Sequence, residues 1–169
     1  MFLTGDLVVY GTAGVCRVIG IGDSLIPGDT RRCYQLHPLS APDDSAVIHT
    51  PVEGGVVVIR PLHTADELEA FAADAASIAP LSGESDRQRR ELYKQALAGC
   101  DLRAYLSVLR SVEQRRIEFE AAGKHLSETD ERFAFRASDG ILSEAAEVLH
   151  RSRRELAALF ELPDSLWKE

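Results

Sequence analysis

Apolar residues cluster in short, turn-bounded runs through the first third of the chain and recur at helical spacing through the rest. The segments Leu7–Tyr10, Gly14–Ile26, Arg32–Ser40, Ala46–Val52 and Val56–Arg60 are rich in Val, Ile and Tyr. Between them stand Gly11-Thr12, Pro27-Gly28-Asp29, Ala41-Pro42-Asp43-Asp44 and Glu53-Gly54-Gly55. Branched and aromatic side chains suit a pleated surface, and Gly, Pro and Asp supply turn conformations, so the pattern predicts five short strands. Thr64-Ala65-Asp66-Glu67 then reads as a helix cap with acids in the first turn, followed by Leu68, Phe71 and Ala72 at helical spacing. From Asp86 onward the period is helical throughout. Leu92, Ala96 and Leu97 mark one helix, which Gly99 stops. Asp101 caps a second, carrying Leu102, Leu106, Leu109 and Val112, with Gly123 at its end. Ser127-Glu128-Thr129-Asp130 opens a third with Phe133, Ala137 and Ile141. Gly140 weakens that helix by about 1 kcal/mol relative to Ala, which predicts a bend or close packing there. A fourth helical stretch, Ser143–Phe160, runs toward Pro163.

These elements predict an α+β chain in two parts. Five strands so short suit a small, strongly bent barrel of the Tudor or SH3 type, closed by the helix after Thr64, over residues 1–75. Residues 76–85 are small, polar and broken by Pro80 and Gly83, and read as a linker. Residues 86–169 form an all-α domain.

Composition narrows the function. Hydrophobic content of 45% supports packed cores. No apolar run is long enough to cross a bilayer and no signal sequence opens the chain, so neither membrane nor export is expected. Cys16, Cys33 and Cys100 show no CxxC spacing, which predicts free thiols in a reducing cytoplasm. The five histidines are scattered, and Gly11-Thr12-Ala13-Gly14 lacks the Lys-Ser/Thr of a phosphate loop. No nucleophile–base pattern or paired carboxylates can be picked out. The expectation is a non-enzyme without cofactor, metal or small-molecule substrate. Net charge is −8, but the bases are uneven: residues 1–83 hold four Arg against ten acids, residues 84–169 fifteen bases against seventeen. Such a division suggests a coupling protein that holds one partner with each part.

The run Gly5-Asp6-Leu7-Val8-Val9-Tyr10-Gly11-Thr12-Ala13-Gly14-Val15 resembles the start of the CarD family of bacterial transcription regulators. That start is shared with the polymerase-interacting domain of the transcription-repair coupling factor. Ile26-Pro27-Gly28, Thr50-Pro51-Val52, Val58-Ile59-Arg60-Pro61, Tyr93-Lys94-Gln95-Ala96-Leu97 with Gly99-Cys100-Asp101, and Leu126-Ser127-Glu128 continue the likeness in order. The resemblance implies a Tudor-like module that grips the RNA polymerase β subunit through Ser24, Ile26, Val47 and His49. It implies a helical domain that meets promoter DNA through Arg87, Arg89, Arg90, Lys94 and Arg136, weakly unless tethered to polymerase. The activity implied is a change in open-complex stability in the nucleoid, with no bond made or broken. Two departures stand out. Arg89 occupies the position of a family Trp, the chain's only Trp being Trp167, and Ser24 and His49 replace family arginines. A second reading therefore stays open: a polymerase-binding adaptor without productive DNA contact.

Overall fold

The computed structural model describes residues 1–43 and 45–168. Asp44, in the turn expected after the third strand, and Glu169 lie outside the described residues. The chain forms two compact units, Met1–Leu62 and a second from His63 onward.

In the first unit the strands are β1 (Leu7–Tyr10), β2 (Gly14–Asp23), β3 (Arg32–Pro38), β4 (Ile48–Pro51) and β5 (Ile59–Pro61). They form one antiparallel sheet in the order β4-β3-β2-β1-β5. The sheet is open, with β4 and β5 as its edges, and not the closed barrel expected from the strand count. Closure needs two edge strands long enough to share a staggered ladder. The segments read as Ala46–Val52 and Val56–Arg60 contribute only Ile48–Pro51 and Ile59–Pro61 to strands.

Alternation places Val8, Cys16, Val18, Tyr34 and Leu36 in a core, with Phe2, Ile21, Ile48 and Ile59 packed against it. β2 achieves this only through a register shift. Val18 faces Leu36, Gly20 faces Gln35 and Ile21 faces Tyr34, so Ile19 is an extra residue and lies exposed. Without that bulge, Gly20 would take the inward position and Ile21 would face out. Gly11 is required by space as well as by conformation. It has φ +46°, and a Cβ there would stand 2.5 Å from Val57 Cγ1.

The second unit contains α1 (Ala65–Asp74), α2 (Asp86–Ala98), α3 (Leu102–Ala121), α4 (Glu128–Leu149) and α5 (Arg153–Leu159). The caps read from sequence are present: Thr64 and Glu67 form a reciprocal capping box, Asp101 caps α3 and Ser127 caps α4. Two boundaries differ. α1, expected to close the sheet module, belongs to this unit. Its Leu68 and Phe71 share one core with Tyr93, Leu106, Ile141 and Phe160, and the Phe71 and Phe160 rings lie 5.2 Å apart. Residues 76–85 are likewise part of the fold and not a free linker. Ile78 is buried, Leu81 packs on the same core, and Ser111 Oγ donates to the Leu81 carbonyl at 3.0 Å. The stretch expected as a single helix, Ser143–Phe160, is split. α4 runs on through Leu149, His150 takes a left-handed conformation (φ 52°), and Ser152 with Glu155 caps α5.

Candidate interaction surfaces

The β2–β3 connection is a tight, cross-braced turn. Asp29 N donates to the Ile26 carbonyl at 3.0 Å, with Pro27 second and Gly28 (φ +83°) third, the arrangement of a type II turn. Ser24 Oγ donates to Asp29 Oδ2 at 3.1 Å and accepts Ile26 N at 3.2 Å. Hydrogen bonds from the Arg31 side chain and backbone, helped by Ser24, hold the Asp29 carboxyl far below its usual range. The brace leaves Leu25 73% and Ile26 63% exposed at the tip. Ile26 was singled out in the sequence. Leu25 was missed, although two apolar residues directly before a Pro-Gly turn are a usable signal.

Ser24 is thus a builder of the turn and is itself half-buried. His49 sits on β4 opposite Gln35, while its neighbours pair with core residues: Ile48 with Leu36 and Thr50 with Tyr34. Strand alternation puts His49 on the face away from that core. The residue is half-buried and its Nδ1 is enclosed without a hydrogen-bond partner. Val47 is exposed just before β4 begins. The strands run antiparallel, so Pro51 and Val52 lie nearest the turn and Val47 at the far end. The four residues therefore mark two ends of one sheet margin, joined by an edge strand whose outer backbone groups are unpaired among the described residues.

In the second unit, α2 separates its basic residues by face. Positions 87, 90 and 94 fall on one side of a 3.6-residue helix, and position 89 points away from 87 by about 200°. Arg87 and Arg90 are exposed, and neither has an ion-pair partner among the described residues. Lys94 Nζ lies 2.8 Å from Glu91 Oε1. That hydrogen bond, with the charges of Lys94 and Arg87, holds the Glu91 carboxyl below its usual range. The face is therefore three cations around one carboxylate.

Arg89 is turned inward, its side chain only 15% exposed. Its Nη2 binds Asp86 Oδ1, which also accepts Arg115 Nη2 at 3.1 Å. Arg115 Nε donates onward to Asp130 Oδ2 at 3.2 Å, and Ser127 Oγ donates to the same oxygen at 2.8 Å. The Arg115 guanidinium also lies 4.3 Å over the Phe119 ring. This ladder of alternating charge ties α2, α3 and the start of α4 together. Its spacings, 29 and 15 residues, gave no signal in the sequence.

Arg136 is exposed on α4, one turn beyond Phe133, whose ring packs edge-on against Tyr93 of α2 at 5.4 Å. Trp167 packs on the helical core with its Nε1 buried. Most other arginines are engaged: Arg103 with Asp74, Arg110 with Glu161, Arg116 with Glu113 and Glu120, Arg132 with Glu128, and Arg153 with Asp139.

A buried polar contact also escaped the sequence reading. Glu144 accepts His63 N at 2.8 Å and lies 2.9 Å from His63 Nδ1, anchoring the start of the second unit to α4 across 81 residues of chain. Among the described residues, no three or more His, Cys, Asp or Glu side chains are gathered as a metal would require. No helix among them is long and apolar enough to cross a membrane.

Residues 2–62, nearly the whole of the first unit, match the family model of the CarD-like/TRCF RID domain. That is an RNA-polymerase-interacting domain, a protein-interaction module and not a catalytic one. The helical unit lies outside the matched residues. No curated protein matches the chain at a significant level.

Proposed function

From the match over residues 2–62, we propose that this chain is a transcription regulator of the CarD type. Its first unit holds the RNA polymerase β subunit and its helical unit contacts promoter DNA, changing the lifetime of the open complex. The observation that carries the reading is the coincidence of the matched domain with the braced Leu25–Ile26 tip and the unpaired β4 edge. An exposed edge offers backbone donors and acceptors for strand addition, and apolar side chains at its margin provide anchors. On the helical unit, Arg87, Arg90 and Lys94, with Arg136 on the neighbouring helix, offer charges for phosphates. Docking on polymerase raises the effective concentration of DNA, so a contact of three or four charges suffices. No covalent step is involved.

The test is retention of the polymerase β subunit by the immobilised chain. Wild type retains it, and Ile26→Glu lowers affinity by about tenfold or more, since burying a carboxylate in place of an apolar anchor costs upward of 1.4 kcal/mol. Failure of wild type to retain polymerase would refute the reading. For the DNA half, Arg87→Ala, Arg90→Ala and Lys94→Ala together shorten the open-complex lifetime. If they leave it unchanged, the second reading stands: a polymerase-binding adaptor without productive DNA contact. Glu91 in the middle of the basic face favours that alternative.

A further inference from the structure

Two fixed points, close together in the chain, set the joint between the two units. Pro61 ends β5 and pairs with Val8 of β1, so the sheet holds the chain up to that residue. His63 begins the second unit, and a buried carboxylate holds it there. Glu144 of α4, 1% exposed, accepts His63 N at 2.8 Å on Oε1, and the same oxygen lies 2.9 Å from His63 Nδ1. From Thr64 onward the capping box of α1 fixes the chain separately. A single residue, Leu62, therefore separates the sheet from the helical fold. Peptide planarity leaves each residue two soft dihedrals, and the Pro61 ring removes one of its own. A joint of that length has little of the freedom of a flexible linker, whose reach grows with the square root of its residues.

We infer that Glu144 is a catch: bound to His63, it confines the joint to Leu62 and makes the chain a stiff coupler of its two units instead of a tethered pair. Releasing it adds His63 to the joint and leaves α1 capped, because the bonds between Thr64 and Glu67 do not involve Glu144. Release carries a cost, since an enclosed backbone N–H then loses its hydrogen bond to a carboxylate. The joint follows from the geometry alone, whereas its role rests on the proposed function. On that reading, a first unit docked on polymerase presents the helical unit within a narrow range of positions. The length of the joint, and not only DNA affinity, then decides the lifetime of the open complex.

The experiment follows the isotope-labelled full chain by nuclear magnetic resonance, through amide hydrogen exchange and backbone relaxation. In wild type the His63 amide is protected. Glu144→Ala makes it exchange about tenfold faster or more, the loss expected when a hydrogen bond to a carboxylate is removed, while Leu68 in α1 keeps its protection. Glu144→Gln, whose amide oxygen accepts the same two bonds, restores most of it. Should Glu144→Ala fail to fold by circular dichroism, Glu144→Leu fills the space without an acceptor and shows the same local loss. Relaxation gives one common tumbling time for both units of wild type. A Gly-Ser-Gly-Ser insert between Leu62 and His63 splits it in two, with the smaller first unit tumbling faster. Glu144→Ala moves the tumbling in the same direction by less.

A His63 amide that exchanges equally fast with and without Glu144 overturns the catch. Separate tumbling of the two units in wild type overturns the stiff joint. So does a common tumbling time that survives the insert, since something other than the joint would then hold the units together. The role of the joint is read from the open complex: the insert shortens its lifetime severalfold and leaves retention of the polymerase β subunit unchanged. An unchanged lifetime with polymerase retained marks an ordinary tether and overturns that role, leaving the proposed function intact. If wild type retains no polymerase, the proposed function falls, and exchange and tumbling still decide the catch and the joint.

Discussion

A methyl group added at Gly140 would strike the ring of Tyr105, with Cδ2 only 2.9 Å away. Helix propensity alone says that Gly140→Ala should stabilise α4 by about 1 kcal/mol. The packing reverses the sign, because Tyr105 is buried and its hydroxyl donates to the Leu97 carbonyl. Displacing the ring costs about 1–3 kcal/mol, so Gly140→Ala lowers the thermal midpoint; a raised midpoint would contradict the close contact. The sequence pointed to a bend or a close approach at this glycine but could not name the partner, 35 positions away. Cys16 permits a second test at this scale. Burial in the sheet core pushes its thiol up to about 11. A folded value above the unfolded one means a contribution fully present below the unfolded pKa and lost as pH rises through the folded one. The first unit therefore loses stability between about pH 9 and 11, and Cys16→Ala flattens that loss in an alkaline titration followed by circular dichroism. An unaltered alkaline profile would mean that Cys16 ionises as freely as an exposed thiol.

Local chemistry made most elements legible. Caps at Thr64, Asp101 and Ser127 involve atoms three residues apart, and they stand where the sequence put them. Pairing between distant segments was not legible. Nothing local tells β4 and β5 whether to meet, and the sheet stays open. Ile78 and Leu81 are two apolar residues in a polar stretch, too few to show periodicity, yet they fasten residues 76–85 to the helical core. The candidate site divides the same way. Arg87, Arg90 and Lys94 share a face by helix geometry alone, whereas the inward turn of Arg89 depends on Arg115 and Asp130 of other helices. The boundary correction makes a direct prediction about fragments. Residues 63–169 melt cooperatively by themselves. Residues 86–169 lack Leu68, Phe71, Ala75 and Ile78, expose the surface those side chains cover, and melt broadly or not at all. Equal cooperativity of the two fragments would return α1 to the first unit.

Over the whole molecule, the new boundary changes the meaning of the charge. Counted by compact unit, the first carries four bases against six acids and the second fifteen against twenty-one. The base-rich unit is therefore also the more acidic one, and no global field draws it to DNA. Screening makes this tolerable: at physiological salt charges beyond about 8 Å are largely damped, so a phosphate at the α2 face responds to its near neighbours. The nearest opposing charge is Glu91, whose carboxyl is held below its usual range by the Lys94 hydrogen bond and then by the charges of Lys94 and Arg87. It both repels phosphate and occupies Lys94 at 2.8 Å. Glu91→Gln removes the repulsion and frees the ammonium. An exposed pair of this kind is weak and screened by salt, so DNA affinity rises only about two- to fivefold. The salt dependence steepens as Lys94 becomes a full phosphate contact. Retention of polymerase stays unchanged, since position 91 lies outside the matched domain. Parallel anisotropy and pull-down measurements on Glu91→Gln decide the matter. Unchanged DNA affinity would remove Lys94 from the contact and leave Arg87, Arg90 and Arg136 to carry it.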